Sequence, residues 1–598
     1  SGGTTMDYPS LYQMFREVST INGSKLAFKH KRDGNWFDIT WTEARETVQR
    51  VSKSLIALKM EKGSKASILS QTRLEWSLCD FGIVSCGVVT VGIYHSNLPD
   101  GCAYILDHSD SEMVFVEDAE QLTKVLEVRG RLPKLRHIVI FDGPSDPDRD
   151  VMSWEDFLDV GGDVPDEEVV RRGEELGLED LASLVYTSGT TGEPKGVMIT
   201  HGNLVFISWT ASESLYMEPF FTTLLFLPLA HVFARLIVYV CLRKAVPVAF
   251  AESFNTVVQN LQEIRPHFIA SVPRVYEKAY DKIVSNAAEA GGIKLRLFYW
   301  ALGVGRKVGE LKQKNQPIPA GLALRHKIAH KLVLHKVVEI FGGRLEWSVS
   351  GAAPLNKAIA EFFHACGVLI LEGIGMTENT SFSHVNRFDN YKFGTVGQLG
   401  PEVEHRIAPD GELLTRGANT MLGYYKNPEA TAETIDEEGW LYTGDIGEID
   451  DEGFLRITDR KKDLIITAGG KNVAPQHVEQ ILRTSHYIGQ AVAIGDRKKF
   501  LSAIITLDPE TVPEWAAQND LGDLSLEELA VHPKVHKLIE MEIEKKNKGL
   551  ASYESIKKFE IVPRDFSIEG GELTPTLKVK RKVVVEKYKD EIESLYEV

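Results

Sequence analysis

Hydrophobic and polar positions follow two alternating periods along most of the chain. Ala44, Val48, Val51, Leu55 and Leu58 recur at helical spacing behind a Thr40–Glu43 capping-box pattern, and the repeat stops near Gly63. "KASILS" (65–70) follows, an apolar run of strand length, then a helical stretch through Trp76 and Phe81, then "GVVTVGIY" (87–94) as another strand. The same alternation returns at "PVAFAES" (247–253), "TVVQNLQEIRP" (256–266) and "HFIASVPRVYEK" (267–278). Helices between short buried strands predict an α/β fold, a large N-terminal domain of mainly parallel sheets flanked by helices. From Ala279 to Phe341 the pattern is helical and basic, with no strand signal.

Beyond about Asp445 the period changes. "GEIDDEGFLRITDRKKDLIITAGGKNVAP" (447–475) reads as hairpin strands with a turn at Asp451-Glu452-Gly453, and a smaller α+β unit runs to the end. The charged "DRKKD" (459–463) bridges the two regimes. The expected organisation is a large domain over 1–459 and a small mobile α+β domain over 460–598.

The most apolar stretch, "FFTTLLFLPLAHVFARLIVYVCL" (220–242), is interrupted by Pro228, His231 and Arg235, so it reads as buried strand and helix, not a membrane span. Peripheral membrane contact and a homodimer stay open. With a net charge of −17 over 598 residues, a general nucleic-acid surface is not expected, and an anionic ligand must be drawn by local cations. The five cysteines (Cys79, Cys86, Cys102, Cys241, Cys366) show no metal-ligand or CxxC spacing, which suits a reducing, cytoplasmic compartment.

Candidate chemistry begins at "SLVYTSGTTGEPKGVMITHGN" (183–203). It is not the phosphate loop that opens a helix, because Pro194 and "GVMIT" predict a second strand after Lys195. A glycine-rich hairpin tip still cradles phosphates: its N–H groups are unpaired, glycine admits close approach, and hydroxyls and a lysine add donors and charge. By itself such a run is more often a polar turn. Five further motifs change that weighting: "SGAAPL" (350–355), "EGIGMTE" (372–378), "YTGD" (442–445), "DRKKD" and "TPTLKVKRK" (574–582). Together and in this order they resemble the signature of the adenylate-forming (ANL) superfamily of AMP-dependent synthetases and ligases, over about Leu11 to Lys587.

The resemblance implies a two-step reaction. A carboxylate attacks the α-phosphorus of ATP to give acyl-adenylate and pyrophosphate, and the thiol of coenzyme A then displaces AMP. An ionised carboxylate, with a pKa of about 4, needs no general base, so the difficulty is bringing an anion to a polyanion. By the same resemblance Thr187, Ser188, Gly189, Thr190, Thr191, Gly192 and Lys195 would hold the phosphates. Gly351, Ala352, Ala353 and the run Glu372, Gly373, Ile374, Gly375, Met376, Thr377 would flank the adenine. Asp445 and Arg460 would meet the ribose, and Glu378 with Thr187 would hold Mg²⁺. Lys578 would bridge carboxylate and α-phosphate, with Lys580 and Lys582 as close rivals, and Lys462 would be the hinge pivot. Ile374 departs from the pattern, since relatives commonly carry a tyrosine there that stacks on adenine.

"LPLAHVFAR" (227–235), "SVPRVYEK" (271–278) and the long helical stretch after Lys278 are similar to long-chain fatty acyl-CoA synthetases. That likeness implies an acyl pocket at His231, Val232, Phe233, Arg235 and Pro273, with His231 beside the carboxylate. A ligase loading a carrier protein and a ligase for a non-fatty acid are the other readings of the same motifs.

Overall fold

The computed structural model describes residues 7–187 and 192–597. Two large sheets organise the first two thirds of the chain, one of nine strands and one of eight. In the eight-stranded sheet the strands Lys65–Leu69, Val89–Ile93, Ser111–Val116, His137–Ile140, Val151–Ser153 and Leu181–Tyr186 run parallel. In the nine-stranded sheet Leu26–Arg32, Thr223–Leu225, Val248–Phe250, Phe268–Ser271, Trp347–Ser350 and Ile370–Ile374 run parallel. Antiparallel strands flank the nine-stranded sheet on both sides and the eight-stranded sheet on one, where Gly196–Thr200 pairs with Leu181–Tyr186 as the expected hairpin. Every residue of Val89–Ile93, Phe268–Ser271 and Trp347–Ser350 is buried. Strands covered on both faces read as continuous apolar runs, which is why their sequences do not alternate.

Local signals account for the helices between them. Trp41–Ala57 starts at a capping box: the Glu43 N–H donates to Thr40 Oγ1 (3.2 Å) and the Thr40 N–H to Glu43 Oε2 (2.8 Å). Val232–Lys244 starts just after Pro228, with the His231 ring accepting from the Phe233 N–H (3.0 Å). Leu74–Ser85 is buried on all sides and shares one core with residues of both sheets, from Phe28 and Phe268 to Ile68 and Phe115. Such a helix carries no polar face to read by period. Gly92 is required by that packing: a Cβ there would lie 2.8 Å from the Ala230 Cα, so the Leu229–Ala230 segment leading to His231 could not sit against the sheet.

The region after residue 400 differs from the mainly parallel expectation. Glu404–Ile407, Glu412–Arg416, Leu441–Ile449 and Leu455–Arg460 form a separate antiparallel sheet. Lys461 is tied to it by ion pairs to Asp410 (2.7 Å) and Glu412 (2.9 Å). Apolar core resumes at Ile465, in a cluster built on the sheet Ile488–Ile494, Leu501–Leu507 and Ile556–Ile561 with its helices. We propose 459–463 as the boundary, since the polar run there joins two cores.

Candidate active site

A cleft of about 3120 Å³ lies where the C-terminal ends of both parallel sheets meet the C-terminal unit. From one sheet come Gln71 and Thr72, Tyr94 to Ser96, and Thr187, each just past a strand end. The other supplies Pro228 and His231, Val272 and Pro273, Ala352 to Leu355, and Glu372 to Glu378. Strand C-termini in open α/β sheets free the following loops for binding, so motifs hundreds of residues apart converge.

At the hairpin, the Thr187 N–H donates to the Lys195 carbonyl (3.0 Å) and the Lys195 N–H to Thr187 Oγ1 (3.2 Å). Thr187, Gly192 and Lys195 line the cleft, whereas Ser188, Gly189, Thr190 and Thr191 lie outside the described residues. Glu378 is buried, and its Oε1 accepts from the Tyr424 hydroxyl (2.7 Å). The Lys195 ammonium lies 5.4 Å from the centre of the same tyrosine ring. Tyr424 was not foreseen. It stands on Gly423–Tyr424, which pairs with Gly196–Thr200, so only strand pairing across more than 200 residues brings it beside Lys195.

Asp445 and Arg460 are paired residues on neighbouring strands, with Nε to Oδ1 at 3.4 Å. Burial pushes the Asp445 carboxyl up, while Arg460 and Lys578 oppose the rise. Glu372, beside the Gly351–Ala353 loop, accepts one N–H bond from Leu355 (3.3 Å), and its burial raises the pKa to about 8. It is therefore largely protonated at neutral pH and adds little negative charge where a nucleotide would sit. Ile374 packs against a cluster of Val396 with Leu413 and Leu455 of the antiparallel sheet, and also lines the cleft.

Lys578 reaches this cleft from the far end of the chain. Its segment turns through Leu577, whose φ is +62°, and is held by a Thr574 N–H bond to the Lys578 carbonyl (2.8 Å). Ser96 Oγ donates to the Pro575 carbonyl (2.5 Å), and Gln480 Nε2 to the Pro354 carbonyl (2.5 Å), so the C-terminal unit is docked on both sides of the opening. The Lys578 ammonium makes no hydrogen bond or ion pair with a described residue. Surrounding protein and then Arg460 lower its pKa, while Glu378 and Asp445 pull it up. Lys580 does not line the cleft; its N–H donates to the Glu572 carbonyl (2.7 Å), while Lys582 lines it. Lys462 also lines the cleft. Asp459, three residues before it, is 3% exposed, has no partner for Oδ2 among the described residues, and is pushed up by burial to about 7.

A second, apolar cavity of about 40 Å³ adjoins the cleft. His231, Phe233, Ala352 and Gly373 to Gly375 line both, and Gly351, Leu236, Ile237 and Val349 line the smaller one. A Cβ on Gly351 would lie 3.1 Å from the Phe233 ring, so glycine there lets the ring cover the loop. Burial, helped by the Lys578 charge, lowers the His231 pKa to about 3, leaving a neutral imidazole whose Nδ1 accepts a backbone bond. Pro273 borders the cleft.

Val232 and Arg235, expected in the acyl pocket, line neither cavity. Val232 is core. Arg235 is 2% exposed and pairs with Asp80 (2.7 Å), which also accepts from the Tyr239 hydroxyl (2.7 Å). His231 is the helix N-cap, with extended backbone (φ −87°, ψ 135°), whereas Arg235 lies inside the helix on a side turned into the core, where its charge must be neutralised. Arg235→Ala should therefore lower unfolding free energy by about 3–5 kcal/mol, the usual cost of orphaning a buried charge. Urea unfolding reads this; unchanged stability with an altered acid preference would return Arg235 to the pocket.

No group of three or more His, Cys, Asp or Glu side chains suited to a metal occurs among the described residues. Glu378, with Oε2 making no hydrogen bond to a described residue, fits a cation held by one carboxylate and completed by phosphate oxygens and water.

Cations from two structural units converging beside carboxylates in one cleft define an enzyme that brings anionic substrates together. A model of AMP-binding enzymes matches residues 15–425, a model of the AMP-binding enzyme C-terminal domain matches 462–598, and the chain belongs to this family. It is 38% identical to the long-chain-fatty-acid–CoA ligase FadD15 of Mycobacterium tuberculosis, across 96% of this chain and 97% of that protein. It is 31% identical to the human long-chain-fatty-acid–CoA ligase ACSBG2, across 98% and 92%. The fold is similar to the adenylation domain of a carboxylate reductase from Mycobacterium chelonae, with TM-score 0.76 at 22% identity over 99% and 92%. It is also similar to a Mycobacterium tuberculosis fatty acyl CoA synthetase, with TM-score 0.62 at 20% identity over 97% and 99%.

Proposed function

We propose that this protein activates long-chain fatty acids with ATP and transfers them to coenzyme A, releasing AMP and pyrophosphate. The observation that carries the reading is Lys578, a cation with no hydrogen-bond or ion-pair partner among the described residues, in the cleft that also holds Glu378, Asp445 and Arg460. An acid and a triphosphate repel each other; Lys578 between them offsets that repulsion where negative charge gathers in the transition state. Lys195 and Thr187 hold the departing phosphates, Asp445 takes the ribose hydroxyls, and Glu378 with Thr187 would hold Mg²⁺, which would supply charge neutralisation for the phosphates. His231, neutral and at the junction of both cavities, orients the acid without competing for its charge.

The apolar cavity receives the chain. At about 40 Å³ it is too small for an alkyl chain, so a long chain requires Phe233 to turn off Gly351. Each buried CH₂ contributes about 0.8 kcal/mol, and the polar side chains among the described lining residues are His231, Ser381 and His384. Acids from acetate to palmitate, supplied with ATP, Mg²⁺ and coenzyme A and followed by AMP release and thioester, test this. kcat/KM should rise with chain length. Higher kcat/KM for acetate than palmitate overturns the substrate class, and adenylate released without thioester overturns the acceptor.

A further inference from the structure

We infer that the helix pair Ala320–Ala329 and His335–Ile340, joined by a π-helical turn at His330–Leu334, is a docking surface for a lipid bilayer containing anionic lipids. Leu324, Ile328 and Leu332 stand four residues apart on this continuous helix and are 62%, 45% and 47% exposed. Residues four apart share a helix face, so a folded helix turns an apolar stripe toward water instead of the core. Ala329, Leu334 and Val337 supply its buried side.

The charge around the stripe selects the occupant. Between Glu310 and Glu339 the chain has no Asp or Glu but six Lys or Arg: Lys312, Lys314, Arg325, Lys327, Lys331 and Lys336. All six are exposed, and none forms an ion pair with a described residue. This local reversal stands out in a chain of net charge −17. A surface helix with an uncovered apolar stripe beside cations matches an interface that is apolar beneath a negative headgroup layer. An acidic protein partner would satisfy the cations and leave the stripe's match to chance; an anionic bilayer satisfies both together. The helix also runs into Ile340 and Phe341, which line the cleft, so docking would set the cleft mouth near the bilayer from which an apolar acid departs. No helix among the described residues is long and apolar enough to cross a membrane, so this contact lies on the surface.

The test is co-sedimentation of the full chain with phosphatidylcholine vesicles carrying 30% phosphatidylglycerol (about physiological salt), and with pure phosphatidylcholine vesicles. One variant carries Leu324→Gln, Ile328→Gln and Leu332→Gln; a second carries Arg325→Gln, Lys327→Gln and Lys331→Gln. The wild type should partition to anionic vesicles at least ~10-fold more strongly than to neutral ones, and each variant should lose about that factor. All six side chains are exposed, so thermal unfolding and turnover of dispersed octanoate should match the wild type. Failure of the wild type to bind anionic vesicles, or binding by both variants as strong as the wild type's, overturns the inference. So does a wild-type dimer that the leucine variant dissociates, which would make this face an interface between two copies. These readouts do not depend on the acyl substrate, so they fail separately from the proposed reaction.

Discussion

Lys578→Ala should lose acyl-adenylate synthesis from acid and ATP by about 10²–10³ in rate, the usual cost of removing one stabiliser of developing charge. The same variant should still convert supplied acyl-adenylate and coenzyme A to thioester. The two half-reactions differ in what they ask of the site. Adenylation brings a carboxylate to a triphosphate, and Lys578 lines the cleft with its ammonium uncommitted to any described residue, facing Glu378, Asp445 and Arg460. Thioester formation starts from an activated anhydride, and its nucleophile is a thiol with a pKa of about 8.5; a lysine in the approach path would obstruct it. Lys578 is held in place by contacts that a rotation of the C-terminal unit would break, chiefly Ser96 to Pro575 and Gln480 to Pro354. Charge reversal at Lys462, in the polar run between the two units, should act oppositely: pyrophosphate exchange is spared and thioester formation slowed. Equal loss of both half-reactions in folded Lys578→Ala protein would remove the alternation reading. A selective defect in Lys580→Ala instead would move the role to that residue.

Glu378→Gln should abolish measurable adenylation, a loss of at least ~10² in rate, because the charge that a cation on the phosphates contributes is worth several kcal/mol. Glutamine keeps the volume and can still accept from the Tyr424 hydroxyl, so the buried side chain is not orphaned. Pyrophosphate exchange over a Mg²⁺ titration reads the effect: the variant should require far more metal or fail at any concentration. A wild-type rate with wild-type metal dependence would mean that Glu378 serves the fold through Tyr424 and not the metal. Tyr424→Phe separates these further, since it removes the bond while leaving the carboxylate.

Much of this protein was legible as one-dimensional pattern. Strand-length apolar runs and 3.6-residue periods are local properties of the chain, so the Thr40 capping box, the alternation of helix and strand and the hairpin around Lys195 were readable in advance. The motif residues were legible for a related reason: backbone approach to phosphates restricts which residues fit, and the restriction leaves a contiguous string. What depends on rotation or on distant pairing was not. His231 and Arg235 share one helix start, yet one faces the cavity and the other meets Asp80, because His231 caps the helix with extended backbone while Arg235 lies within it, packed into the core. Tyr424 beside Lys195 and Ser96 beneath Pro575 arise from strand pairing and unit docking between residues hundreds apart, and neither leaves a short motif. The preference for Lys578 over Lys580 came from the family pattern, while their different surroundings come from the turn at Leu577. The sequence by itself determined the elements and the chemical groups, because those follow from local periodicity and residue type. Only the tertiary structure decided which groups meet, because burial, charge pairing and reach are properties of the packed chain.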